Sequence, residues 1–208
     1  MSVLKGSLTY VRFYVEGDLP DDFNERFLKA IRLRAMKPLE PDDEVPERWG
    51  WSRLAEPFEL ELDHESVFFN EYLNLGVRAD RWQIPGAMLR AKLREAEEVY
   101  LTKKGRERLT RKEKAEMKEL VSRKLRRQLT PVTRSFDLSW SLQEGIVRFF
   151  SSANAPAVAM QDLFTRTFGL KLVPEAPYTL AARLGLSKAQ EEAWATLEAT
   201  TLSTEENA

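Results

Sequence analysis

The stretch LRAKLREAEEVYLTKKGRERLTRKEKAEMKELVSRKLRRQL, residues 89–129, decides the fold, because it is helical in period while the chain on both sides of it is strand-like. Leu89, Leu93, Ala96 and Tyr100 recur at i, i+4, i+7 and i+11, and Met117, Val121, Leu125 and Leu129 recur every four residues with Leu120 beside them. Both spacings line one face of an α-helix. Gly105 breaks the first pattern, and Thr110-Arg111-Lys112-Glu113 is a capping box that opens the second. The spacing predicts a helical hairpin with a basic connection.

On the N-terminal side, Ser7 to Val15 alternates apolar and polar residues as a strand does. Asp18 to Asp22 supplies helix-start signals, and Phe23, Phe27, Ala30, Ile31 and Arg34 form an amphipathic stripe of about four turns. Lys37 to Arg48 holds Pro38, Pro41 and Pro46 and is expected to be loop, closed by Trp49-Gly50-Trp51 as an aromatic latch. Phe58 to Asp63, Ser66 to Leu75 and Val77 to Ile84 read as strands, with Gly76 a bend and Pro85-Gly86 the stop.

On the C-terminal side, Ser135 to Ser141 and Ile146 to Phe150 alternate about Gln143-Glu144-Gly145 and predict a β-hairpin. Helices follow over Pro156 to Phe168, ended by Gly169, over Tyr178 to Leu184, and over Ser187 to Leu197, with a frayed tail from Ser203 to Ala208. Strands, helices and strands in blocks define an α+β fold with antiparallel or mixed sheets, a protruding basic hairpin and C-terminal helices. The expected parts are residues 1–85, 86–134 and 135–202, in one continuous unit, before the tail at 203–208.

The 208 residues are 43% hydrophobic, 10% aromatic and 31% charged, which fits a folded chain with a real core. There is no cysteine and one histidine, His64, so disulfides, thiolate zinc sites, cysteine nucleophiles and multi-histidine metal clusters are excluded. Neither a signal peptide nor an apolar run of about 18 residues is present, and the expectation is a cytoplasmic protein without a membrane partner, nucleoid-associated if the DNA-binding reading below holds.

The net charge of −1 conceals a cancellation: residues 1–85 carry −6, residues 86–134 carry +9 and residues 135–208 carry −4. Half of all Lys and Arg lie in under a quarter of the chain. Charge runs are usually solvated faces, but Glu107, Glu113, Glu116 and Glu119 can pair with fewer than half of the neighbouring cations. The candidate DNA-binding residues are Lys103, Lys104, Arg106, Arg108, Arg111, Lys112, Lys114, Lys118, Arg123, Lys124, Arg126 and Arg127. They concentrate in two cationic knots, Lys103 to Lys112 and Arg123 to Arg127, suited to phosphates and blind to base sequence.

Other chemistries are weaker. Trp49, Trp51, Trp82, Trp140, Tyr100 and Phe149 could stack on unpaired bases, but their scatter on strand periods favours core packing. Glu59, Glu61 and Asp63 on one strand face invite a metal-dependent nuclease, but no Glu-x-Lys partner follows on a strand; Glu116-Met117-Lys118 is helical. His64 lacks a nucleophile and reads as a turn residue, and no phosphate-cradling glycine motif is present. No catalytic residue, metal or cofactor is expected.

Several quoted features, taken in order, resemble the recombination-associated protein RdgC family: the leading strand, Trp49-Gly50-Trp51, Ile84-Pro85 into the Arg90 to Glu97 helix, Thr110 to Lys114, Leu129-Thr130-Pro131, the Phe136 to Trp140 strand and Leu172-Val173-Pro174. The likeness spans about residues 4–180, and members of that family extend further at their C-termini. It implies a non-enzymatic α+β protein that encircles double-stranded DNA as a homodimer, binds without sequence preference, and restrains RecA-driven strand exchange. Single-stranded DNA is a second candidate ligand. The alternative from the residues alone is an interaction module whose basic helices meet an acidic partner or the acidic flanks of a second copy.

Overall fold

Two ten-residue strands, Tyr72–Arg81 and Val132–Ser141, pair antiparallel along their whole length, from Tyr72 opposite Ser141 to Arg81 opposite Val132. The basic helices are the connection between these two strands, so the hairpin grows out of the end of the central strand pair. The computed structural model describes residues 8–196. Along the chain run β1 (Val11–Glu16), α1 (Phe23–Leu33), β2 (Glu47–Ser52), α2 (His64–Val67), β3 (Phe68–Phe69), β4 (Tyr72–Arg81), α3 (Gly86–Lys104), α4 (Arg111–Arg126), β5 (Val132–Ser141), β6 (Ile146–Phe149), α5 (Asn154–Phe168), β7 (Lys171–Pro174), α6 (Pro177–Arg183) and α7 (Lys188–Ala195). The described strands form one sheet in the order β2-β4-β5-β6-β1-β7, with β3 also on β4, and each pairing is antiparallel. The fold is α+β. The sheet interleaves strands from both ends of the chain, since β1 lies between β6 and β7.

Alternation decides which face is covered. Leu73, Leu75 and Val77 of β4, Trp51 of β2, Leu138 and Trp140 of β5 and Val147 and Phe149 of β6 are all fully buried. Phe27 and Ile31 of α1 and Met160, Leu163, Phe164 and Phe168 of α5 cover them. Trp140 is the hub, 5.1 Å from Phe164, 5.3 Å from Phe168 and 5.6 Å from Phe27 between ring centroids. Burial of side chains this large stabilises by about 1.5–3 kcal/mol apiece. The indole N–H of Trp51 is satisfied by Thr167 Oγ1 at 2.9 Å. On the opposite face Arg78 and Asp80 form a buried bidentate pair at 2.9 and 2.6 Å, and the Thr133 hydroxyl donates to Asp80 at 2.7 Å.

Several expectations are corrected. Phe58 to Asp63 is irregular chain and not a strand. One edge of β4 is already taken by β2 and β3 and the other by β5, so no edge remains there for that segment. Phe58 lies exposed beneath the Arg78 guanidinium at 4.7 Å, while Leu62 turns inward. Ser66 to Leu75 divides into part of α2, then β3 and the start of β4. β4 passes through Gly76 without a break: a Cβ there would lie 2.5 Å from Ser52 Oγ and 2.6 Å from the Arg53 carbonyl oxygen, so this glycine serves a close approach and not a bend. Trp49-Gly50-Trp51 lies within β2, which begins inside the expected loop. Residues 34–36 occupy the outer side of β2, with Trp51 N–H donating to the Arg34 carbonyl at 3.0 Å and Met36 N–H to that of Trp51 at 2.7 Å. β7 is a further strand beyond those expected. Ser7, the last residue of the expected helix over Ser187 to Leu197, and the tail at 203–208 lie outside the described residues.

Candidate nucleic-acid interface

Local signals build the hairpin as its sequence predicts. α3 ends at Gly105, whose φ of 59° is the left-handed conformation that favours glycine, and the Gly105 and Arg106 N–H groups close onto the Thr102 and Leu101 carbonyls. At the start of α4, Glu113 N–H donates to Thr110 Oγ1 at 3.2 Å, and Thr110 N–H returns to Glu113 Oε2 at 2.7 Å. The same carboxylate accepts from Tyr100 Oη at 3.0 Å and pairs with Arg106 at 2.8 Å. Those donors, the Thr110 backbone first, hold Glu113 far below the ordinary 4.5, at about 2, and the Glu113 hydrogen bond pushes Tyr100 upward. One acidic side chain thus joins α3, the connection and α4.

The rest of α3 is sparsely held. None of its nineteen residues is buried, and among the described elements it packs substantially on α4 alone. At about 1.5 Å per residue, α3 projects for close to 28 Å. The root of α4 is tied to the acidic loop before β2: Arg126 is buried and donates to the Asp43 carbonyl at 2.9 Å, and Arg127 makes a bidentate contact with Asp42 at 3.0 Å.

The twelve candidate cations therefore separate. Arg126 is not presented outward, and Arg127 is neutralised by Asp42. Arg123 faces Glu119 at 3.8 Å, Lys112 faces Glu116 at 3.9 Å and Arg106 is held by Glu113. The second expected knot, Arg123 to Arg127, is thus a strut with one free cation, Lys124, because the loop carrying Asp42 and Asp43 folds against it. Lys103, Lys104, Arg108, Arg111, Lys114, Lys118 and Lys124 are exposed and have no ion pair within 4 Å among the described residues. Lys103, Lys104 and Arg108 sit at the tip. Arg111, Lys114 and Lys118 follow at i, i+3 and i+7, one flank of α4, while the paired set Lys112, Glu116, Glu119 and Arg123 forms a separate ladder.

Four further cations of the hairpin and its root are exposed without an ion pair among the described residues: Arg90 and Arg94 on α3, and Arg81 and Arg134 at the root. Arg90 and Arg94 are one turn apart, and helical periodicity turns them away from the groove-lining stripe of α3, whereas Lys114 and Lys118 stand seven residues before Val121 and Leu125 and so border the stripe of α4. Arg81 and Arg134 line a polar hollow of ≈ 350 Å³ with Glu47 and Gln83. The i, i+4 repeat of Arg90 and Arg94 is visible in the sequence. The hollow is not, because it depends on pairing between β2, β4 and β5.

The competing sites dissolve. Trp51, Trp140 and Phe149 are fully buried, Trp82 is buried, Trp49 stacks on Phe136 at 6.1 Å, and Tyr100 is spent on Glu113. The four buried rings present no face to a base. Asp63 caps α2 by accepting from Ser66 N–H at 2.7 Å; the Ser66 hydroxyl first and this N–H second lower its pKa, and Glu59 accepts from Glu61 N–H at 2.9 Å. Among the described residues no three His, Asp or Glu groups converge to hold a metal ion. His64 opens α2 and stacks on Phe68 at 4.9 Å, a helical position where a turn was expected. No helix among the described residues is long and apolar enough to cross a membrane. No protein-family model matches the chain, and no curated protein matches it.

Proposed function

We propose that this protein binds double-stranded DNA through the tip of its α3–α4 hairpin and the Arg111 to Lys118 flank of α4, without reading base sequence and without catalysing a reaction. One observation carries the reading: a projecting hairpin bears Lys103, Lys104, Arg108, Arg111, Lys114 and Lys118 exposed and, among the described residues, free of ion pairs, on a chain of net charge −1. An isolated cationic projection on an otherwise acidic protein draws a polyanion to one place. The Arg111 to Lys118 flank rises about 10 Å, the span of some three phosphates at 3.4 Å of axial rise per strand. Side chains that end in ammonium or guanidinium groups suit phosphates, which position a duplex and carry no sequence information. The likeness to the recombination-associated RdgC family supports a dimeric protein that restrains RecA-type strand exchange by occupying DNA.

Electrophoretic mobility with duplex and single-stranded competitors tests this. Wild type should retard duplexes of unrelated sequence equally. A variant carrying Lys104→Glu, Arg108→Glu, Arg111→Glu and Lys114→Glu should lose retention of all of them alike. Arg123→Gln with Arg127→Gln, which touches only paired cations, should retain it. Equal loss in both variants would remove the hairpin from the role.

A further inference from the structure

The two helices of the hairpin line the groove between them with the same pattern. Lys92, Glu95, Ala96, Val99, Tyr100 and Lys103 of α3 stand at i, i+3, i+4, i+7, i+8 and i+11, and Met117, Leu120, Val121, Lys124, Leu125 and Gln128 stand at identical intervals on and just past α4. Each stripe is wide enough to meet two neighbouring helices, yet each helix has one here. What remains is an open groove of ≈ 560 Å³ along the hairpin, with Val99 69% and Leu120 59% exposed on its walls. Isolated apolar residues are ordinary on a surface; a continuous apolar floor between two projecting helices is the shape that receives a third helix.

The rim selects the occupant. Lys92 and Glu95 neutralise one another at 2.9 Å, which leaves Lys103 and Lys124 as the groove's charges, neither with an ion pair among the described residues. They stand on opposite helices, Lys103 toward the tip and Lys124 toward the root. The Tyr100–Glu113 contact sets the level of one helix against the other, and on that register the backbone positions of Lys103 and Lys124 are separated along the hairpin by roughly 20 Å, or about 14 residues of helix. A second copy docking groove to groove would set lysine rim against lysine rim, which disfavours it.

We infer that the α3–α4 groove is a docking site for an acidic amphipathic helix of a partner protein. Its apolar stripe fills the floor over Val99, Tyr100, Met117 and Leu120, and carboxylates at its two ends pair with Lys103 and Lys124. The proposal rests on the groove's own lining and not on the DNA reading; of the six cations assigned to DNA, Lys103 alone lines the groove.

The test uses full-length protein and two fluorescein-labelled helical peptides of about 18 residues. They share a leucine stripe and differ only in carrying glutamate or lysine along its edges. Fluorescence anisotropy should show binding of the glutamate peptide and not the lysine peptide. Val99→Ser with Leu120→Ser, both at exposed positions, should weaken the glutamate peptide by about tenfold or more while duplex retention stays unchanged. Lys103→Glu with Lys124→Glu should reverse the preference between peptides. Circular dichroism establishes that each variant stays folded. Equal binding of both peptides, or of neither, overturns the inference. So does self-association in sizing experiments that Val99→Ser with Leu120→Ser abolishes while neither peptide binds, an outcome that assigns the groove to a second copy.

Discussion

α5 and α3 are both long helices, of fifteen and nineteen residues, and they do opposite things with their side chains. α5 buries seven residues, Met160, Leu163, Phe164 and Phe168 among them, against a sheet whose aromatic rings interlock. α3 buries none. The contrast extends to charge: the sheet seals Arg78 and Asp80 together out of water, whereas the hairpin leaves most of its cations unpaired and in solvent. Stability therefore resides in the sheet and its two covering helices, and the recognition proposed above falls to a projection that contributes little to the core. Unpaired cations gathered on one projection repel one another; their grouping becomes favourable when a polyanion supplies the missing charge.

Substitutions that break this division fall in a clear order. Trp140→Ala should cost about 3–5 kcal/mol in urea denaturation, because the hub between α1 and α5 would become a cavity. Asp80→Asn should follow at about 3 kcal/mol, since the Arg78 guanidinium would stay buried without its carboxylate. Both losses should appear as one cooperative transition of the whole domain. Thr110→Ala should cost about 1 kcal/mol and be local, seen as faster amide exchange over the start of α4 with exchange in the sheet unchanged. Arg127→Ala removes an exposed pair with Asp42 and should change stability by less than about 1 kcal/mol.

Acid separates the two regions further. The Glu113 carboxylate sits at about 2 in the folded hairpin against an ordinary 4.5, so its contribution is complete above pH 4.5 and is lost as pH falls toward 2. Amide exchange over residues 110–114 should accelerate across that window in wild type. In Glu113→Gln, whose side chain cannot titrate, the local acceleration should be absent.

How much of this was legible in the sequence follows from the range of each signal. The hairpin's turn and cap were plain because Gly105, Thr110 and Glu113 act within one or two helical turns. The β5–β6 hairpin and α5 were likewise given by local period. β2, β7 and the irregular course of residues 58–63 were not, because a strand exists only where an edge is vacant, and edges are assigned by segments far away in the chain. The cations follow the same rule. The free flank of Arg111, Lys114 and Lys118 and the ladder from Lys112 to Arg123 are both i, i+3 or i+4 sets and could be sorted in advance. The capture of Arg126 by Asp43 and of Arg127 by Asp42 spans more than eighty residues and could not. The i, i+4 repeat of Arg90 and Arg94 spans a single helical turn and is equally legible.

The most direct test is the salt dependence of duplex binding between roughly 50 and 200 mM, compared between wild type and a variant with Arg111, Lys114 and Lys118 all replaced by Gln. Six free cations on phosphates should give a slope of log affinity against log salt near −5 in wild type, and the variant should lie shallower by about 3. A wild-type affinity indifferent to salt, or equal slopes in the two proteins, would contradict the assignment of the hairpin's unpaired cations to DNA.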